Sequence, residues 1–378
     1  MIIPVAPTGD WYARRVGVAA AREINMIPAG RPLNRESKVR PAGIRHVAGA
    51  PHPPTGDYDT DVIVLSLDRL DDTVDAIRSA LAQTGVSRHV TVLDQGSMGE
   101  NLAWLEATVA GRSDATLLRS DRNLGVAEGR NQASAFGHGQ VIVGLDNDAE
   151  FATCDTLAGL VAALSAEPDL AAIGCRIVNF DTGRDDMTSW GYPRSLLPRS
   201  GSIFLASTFV GAGHAIRRDA WRAAGGYDPA LFFCWEEYDF CLRAIARGWR
   251  VQYRGDLVVR HKVSAERRVA WSGDRWFHFV RNRLYIGRKY GGGWLGLVPR
   301  IGGYMVKGLW HGLGRQTLRA IPAAIRMAHR ATDEPLPAAA LAYLRQHDLA
   351  HRGAWVHRLR SEIFTRTPGV ATTAALGS

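Results

Sequence analysis

Two aspartates separated by one residue, Asp146 and Asp148, close the apolar run "VIVGL" of residues 141–145. Carboxylates at the end of a buried strand cost several kcal/mol unless something cationic compensates them. On an extended strand residues i and i+2 share a face, so both carboxylates are expected to point the same way. Hard divalent ions such as Mg²⁺ and Mn²⁺ prefer oxygen ligands and often share one or two carboxylates with a substrate's phosphates. His261 ends the run "RVQYRGDLVVRH" and is a fitting third ligand for a site that already holds two carboxylates. A second acidic group, "WEEYDF", sets Glu236, Glu237 and Asp239 at the head of an expected helix. The positive end of a helix stabilises carboxylates, yet three acids in four residues exceed what capping requires. Phe233 and Trp235 beside them would partly desolvate a carboxyl, raising its pKa toward the range useful for a general base.

The elements that must position these residues follow from the rhythm of the chain after residue 60. "DVIVLSL", "HVTVLDQGS", "ATLLRS" and "QVIVGLDND" are short apolar runs, and they alternate with helical patterns such as "DDTVDAIRSALAQTG" and "NLGVAEGRNQASAFG". Alternation of this kind predicts a parallel sheet with helices on both faces. In such sheets ligands sit at the carboxyl ends of the strands, and Ser66, Asp94, Asn123 and Asp146 all fall there. A further helix and strand follow, "TLAGLVAALSAEPDL" and "AAIGCRIVNF", and then a polar loop over 181–202, longer than a mere connection needs. Residues 1–58 read as an N-terminal extension or linker, rich in Pro, Gly and charge. The region from 265 to 366 reads as helical, aromatic and basic, and 367–378 as a loose tail.

Composition narrows the classes. The chain of 378 residues carries a formal net charge of +9 and is 46% apolar, so it can bury a sizeable core and suits an anionic partner. Cys154, Cys175, Cys234 and Cys241 form no C-x-x-C pair, which fits a reducing compartment. "MIIPVAPTGDWYARR" lacks the pattern of a signal peptide, and no charge-free apolar run approaches the roughly 20 residues needed to span a bilayer. A cytoplasmic location is expected, with peripheral contact at the inner face of the membrane.

Several ordered segments over residues 60–290 together resemble the inverting GT-A glycosyltransferases of family two. "VIVLSLDR" resembles the family's first strand, "VLDQGS" its V-D-N-G-S, "SDRNLGVAEGRN" its N-x-G-x-A-x-x-R-N, and "LDND" its D-x-D. "FVGAGHAIRRDAWRAAGGYDPALFFCWEEYDFCLRAIARGWRV" is similar to the family's G-A-G…G-G-F-D…E-D-x-D-x-x-x-R. The resemblance implies an α/β GT-A domain over 59–264, a Rossmann-like mixed, mostly parallel sheet flanked by helices. It also implies a nucleotide-sugar donor, a glycan or lipid-linked glycan acceptor, and a divalent metal, Mn²⁺ or Mg²⁺, held by Asp146, Asp148 and His261. Asp94 would meet the nucleoside, Ser66 and Asp68 the base, and Arg130 the base or phosphates, completing with Asn123, Asp146 and Trp235 a donor-binding set. Glu237 occupies the position of the catalytic base, where the family usually has Asp, so Glu236 and Asp239 stay open as alternatives. Asp68 likewise stands where Asn is usual.

Rival readings fit less well. A sugar-nucleotide nucleotidyltransferase is expected to carry a Gly-rich basic loop after its first strand, and a dinucleotide dehydrogenase G-x-G-x-x-G. "LSLDRLDDT" is acidic and glycine-free. A nucleic-acid-binding protein would explain the charge but not acids gathered at strand ends, where a polyanion is repelled. In the basic C-terminal third, Arg275 or Arg281 could approach a diphosphate. The stretch with Lys307, Arg315, Arg319 and Arg326 suits an anionic membrane surface, a helical cap or a homodimer contact alike.

Overall fold

The computed structural model describes residues 43–262, 273–331 and 334–354. The extension up to residue 42, the 264/265 boundary and the tail from 367 lie outside the described residues. Strand and helix alternate at first: β1 (Ile44–Gly49), β2 (Thr60–Ser66), α1 (Leu70–Leu81), β3 (Arg88–Asp94), α2 (Gly99–Val109), β4 (Ala115–Ser120), α3 (Gly125–Phe136) and β5 (Val141–Leu145). After them come β6 (Ala149–Phe151), α4 (Thr156–Ala166), β7 (Leu170–Asn179), β8 (Ile203–Ala206), β9 (Gly213–Arg217), α5 (Arg218–Ala224), α6 (Glu236–Ala246) and β10 (Arg250–His261). Four helices follow: α7 (Gly273–Lys289), α8 (Trp294–Trp310), α9 (Gly314–Arg330) and α10 (Ala338–His347).

The sheet runs β1-β4-β3-β2-β5-β9-β7-β10-β6, with β8 also on β10. Its central strands β4, β3, β2 and β5 are parallel, as are β7 and β10. β9 is antiparallel between β5 and β7. Successive residues of a strand face opposite sides, and β2 divides accordingly. Val62 and Val64 join the layer that includes Ile77, Leu105 and Leu157, whereas Ile63 joins the layer of Ala127, Trp221 and Phe240. Burial on both faces is why the strand reads as an unbroken apolar run. A third cluster, with Trp276, Leu284, Tyr304 and Ala320, packs α7, α8 and α9 together.

Two local features differ from the sequence reading. Ile44–Gly49, within the stretch read as linker, is a strand that pairs antiparallel with β4. It covers an edge that would otherwise expose unpaired backbone groups. Its sequence, "IRHVAG", carries too little apolar alternation to stand out. The second feature is that Asp146 and Asp148 do not lie on a strand: β5 stops at Leu145, and the pair sits in the turn before β6.

Candidate active site

The turn is closed by the Ala149 N–H, which donates to the Asp146 carbonyl at 3.0 Å. β6 then pairs antiparallel with the end of β10, setting Ala149 opposite His261. The Lys262 N–H donates to the Asp148 carbonyl at 2.8 Å. Sheet pairing, rather than a shared strand face, therefore brings the three side chains together: one ligand atom each from Asp146, Asp148 and His261 lies within 4.8 Å of the others. His261 Nε2 is 3.3 Å from Asp148 Oδ1, and Nδ1 is 3.0 Å from Asp186 Oδ2. Burial opposes the charged imidazole, but hydrogen bonds to Asp148 and Asp186 outweigh it and raise its pKa to about 10. Burial likewise acts to raise the Asp186 carboxyl, and bonds from His261, Ser189 and Thr188 overcome it and hold the group well below the usual range.

Two carboxylates and an imidazole that gives up its Nε2 proton to an incoming cation, its far nitrogen still held by Asp186, make a donor set that fits Mn²⁺ or Mg²⁺. Within the protein the aspartates are compensated by arginines. Asp148 pairs with Arg69, and Asp146 Oδ1 accepts from Arg130 Nη2 at 2.7 Å.

Arg130, on α3 and buried, ties this turn to the acidic helix. Its Nη2 also donates to the Gly211 carbonyl at 2.8 Å, and its Nη1 lies 3.7 Å from Glu237 Oε1. Gly211 leaves room for that carboxylate, since a Cβ there would meet Glu237 Oε1 at 2.3 Å. Burial lifts the Glu237 carboxyl above its ordinary range, and Arg130 limits the rise. Glu236 is more deeply enclosed. Its Oε2 makes no hydrogen bond among the described residues, and burial, then Glu237, raises its carboxyl far above normal. Asp239 faces elsewhere, accepting from Arg243 Nε at 2.9 Å, Lys289 Nζ at 3.0 Å and the Tyr290 hydroxyl at 2.8 Å. Burial pushes its carboxyl up, but those cations bring it below the usual value. Of the three acids only Glu237 combines contact with Arg130 and an accessible side chain.

Among the described residues, positive φ at non-glycine positions occurs at Asp68, Arg69, Phe232, Cys234 and Trp235. Such conformations cost on the order of 1–3 kcal/mol each and persist where surroundings impose them. Here they fall in two segments, one beside Asp148 and one just ahead of Glu237. α7 imposes the second. The Asn282 side-chain amide, fully buried, donates to the carbonyls of Leu231 at 2.9 Å and of Phe233 and Cys234 at 2.8 Å. Gly125 lets α3 dock on the same loop: its φ is +75°, and a Cβ would strike the Phe232 carbonyl oxygen at 2.3 Å. The Asn123 side chain accepts from the Gly125 N–H at 2.8 Å, shaping that docking turn.

The remaining donor-site candidates group at the ends of β2 and β3, where Ser66 and Asp94 are register partners. Ser66 Oγ is buried with no hydrogen bond among the described residues. Asp94 accepts from the N–H groups of Gly96 at 3.3 Å and Ser97 at 3.2 Å, with Arg119 Nη1 at 3.5 Å. Asp68 accepts from the Met98 N–H and the Asn101 side chain, both at 3.1 Å. Trp235 turns to α7, donating its indole N–H to the Phe279 carbonyl at 3.1 Å. Arg281 is likewise spent on the loop, donating to the Ala230 carbonyl at 3.0 Å and the Leu231 carbonyl at 2.8 Å. The Arg275 guanidinium lies over the Phe233 ring at 5.2 Å. Sequence reasoning missed Arg69, Asp186 and Asn282. Only Asp186 left a trace, through the polar loop that carries it.

A mixed, mostly parallel sheet with an acidic turn at its carboxyl edge and a helical C-terminal region is a GT-A architecture. It resembles the crystal structure of GalNAc-T7 solved with UDP, GalNAc and Mn²⁺, at a TM-score of 0.53 and 17% identity over 65% of this chain and 51% of that one. Residues 61–223 match the model of Glycosyl transferase family 2. The O-antigen biosynthesis protein RfbC of Myxococcus xanthus is 26% identical over 259 residues, 63% of this chain. The match spans only 20% of RfbC's own length. The mannosyltransferase PcManGT of Pyrobaculum calidifontis, solved with GDP-Man and Mn²⁺, is 20% identical over 83% of this chain and 86% of its own, at a TM-score of 0.48.

Proposed function

We propose that the protein is an inverting, metal-dependent glycosyltransferase. It moves a sugar from a nucleoside-diphosphate donor, a UDP- or dTDP-sugar, to a hydroxyl of a glycan or lipid-linked glycan in cell-surface polysaccharide synthesis. The observation that carries this reading is the bridge through Arg130, which sets a half-buried carboxylate, Glu237, beside a three-ligand cation site. Glu237, its pKa raised, takes the proton of the acceptor hydroxyl as that oxygen attacks the anomeric carbon and the bond to the diphosphate breaks. Attack from the face opposite the leaving group inverts the centre in one displacement. A divalent cation held by Asp146, Asp148 and His261 would stabilise the charge gathering on the leaving diphosphate. Arg130 keeps Asp146 and Glu237 in fixed relation during that displacement. Ser66, Asp68 and Asp94, with the Asn123 turn, form the ledge for the nucleoside. The name of the Myxococcus xanthus relative supports the choice of a surface glycan as the product class. Among the described residues no helix is long and apolar enough to cross a membrane.

The test is calorimetric titration with UDP, dTDP, GDP and ADP, each with Mn²⁺ and with EDTA, on wild type, Asp148→Ala and Glu237→Gln. Wild type binds one nucleotide in a metal-dependent way, Asp148→Ala loses that binding, and Glu237→Gln keeps it while losing transfer. Metal-independent binding would remove the cation site from the mechanism. Normal turnover by Glu237→Gln would remove the base.

A further inference from the structure

The helices α8 and α9 carry an exposed surface outside the residues assigned above to the transfer reaction. On α8 the outward positions Leu295, Val298, Val306, Leu309 and Trp310 recur at helical spacing, and Leu295, Leu309 and Trp310 are 89%, 66% and 69% exposed. The cationic side chains of α8 lie elsewhere: Lys307 is buried, its amine over the Trp276 ring at 5.8 Å, and Arg300 is half-buried. α9 packs alongside and turns Arg315, Arg319 and Arg326 outward, with Leu318 among them. From Arg275 to Thr332 the sequence holds eleven basic residues and no Asp or Glu. An apolar helical face next to a cationic one, on helices of 17 residues that do not meet the requirements for a span, is the pattern of a segment lying in a lipid interface.

We infer that the α8–α9 face docks on an anionic lipid bilayer, with the α8 side chains entering the acyl boundary and the α9 arginines meeting lipid phosphates. Charge decides between a bilayer and a second copy of the chain. An isologous contact would bring the acid-free cationic stretch against itself, whereas anionic headgroups attract each arginine near the surface by about 1 kcal/mol. The inference stands on this surface alone and does not depend on the transfer reaction. If the reaction is as proposed, docking would hold the catalytic domain where a lipid-linked acceptor is presented, because α7, which packs with α8 and α9, also grips the loop ahead of Glu237.

The experiment is sedimentation of the full chain with phosphatidylcholine vesicles, with and without phosphatidylglycerol, at low and high salt. The expected result is binding only where phosphatidylglycerol is present, weakened by salt. The triple variant Arg315→Gln, Arg319→Gln, Arg326→Gln should lower partitioning by about 100-fold, roughly fivefold per residue. The double variant Leu309→Ser, Trp310→Ser should lower it by on the order of tenfold or more. Both variants change exposed positions and should keep the wild-type circular dichroism and melting temperature. Equal binding to both vesicle types, no binding, or an unchanged partition coefficient in folded Leu309→Ser, Trp310→Ser would overturn the inference. So would light scattering that shows a wild-type dimer which Leu309→Ser, Trp310→Ser splits, since the face would then be covered by another copy.

Discussion

Removing the Asn282 side chain tests whether the strained loop ahead of Glu237 is set by α7. In Asn282→Ala the carbonyls of Leu231, Phe233 and Cys234 lose their shared amide donors. Each hydrogen bond contributes about 1 kcal/mol net, and a buried carbonyl left without a partner costs a further 1–3 kcal/mol or so. Arg281 still holds the Ala230 and Leu231 carbonyls, so the loss sits at the low end, about 2–3 kcal/mol. The positive φ values of Phe232, Cys234 and Trp235 oppose the native loop, at on the order of 1–3 kcal/mol each, leaving it little margin. A loss of this size lowers the population of the productive loop by as much as about 30- to 150-fold. The assay separates kcat from binding. kcat should fall toward that factor, while metal-dependent nucleotide affinity stays within about threefold, because Asp146, Asp148 and His261 are anchored by β5, β6 and β10. A folded Asn282→Ala enzyme with wild-type kcat would refute the reasoning. So would one whose nucleotide affinity falls in parallel with its rate.

Gly211→Ala should leave the fold intact but displace the Glu237 carboxylate, because the new Cβ would lie 2.3 Å from Oε1. A shift of about 1 Å in a reacting group can cost on the order of 100-fold in rate, so an unchanged kcat would argue against Glu237 as the base. Glu236→Gln should stabilise the protein most at high pH. The folded-state pKa of Glu236 is raised, so its contribution is fully present below the unfolded value near 4.5 and is lost as pH rises toward the folded one. The gain in melting temperature should therefore shrink as pH falls toward 4.5, and a gain independent of pH would contradict the assignment. Asp186→Asn removes the carboxylate behind His261 and should weaken Mn²⁺ affinity by about 10- to 100-fold, measured by titrating the protein with the metal. Unaltered affinity would show that His261 does not need that support.

Much of this protein can be read from its sequence. β2, β3, β4 and β5 are buried on both faces, so each announces itself as an apolar run. Their polar ends, Ser66, Asp94, Asn123 and Asp146, mark the edge where a ligand belongs. The acids of α6 are visible for the same reason, being charge set among aromatics. What tertiary structure alone decided is how these groups meet. Asp148 reaches His261 because β6 pairs with β10 across more than a hundred residues of chain, and the intended i, i+2 face does not exist in a turn. The choice among Glu236, Glu237 and Asp239 rests on partners outside α6, namely Arg130 of α3 for Glu237, and Lys289 of α7 with Tyr290 just beyond it for Asp239. Asn282 is an unremarked asparagine in a basic helix until the loop it clamps is in view. A sequence records which residues are apolar, charged or conformationally free, because these follow from local chemistry. It does not record which distant carbonyl or carboxylate an amide will face, since that is fixed only when the layers pack.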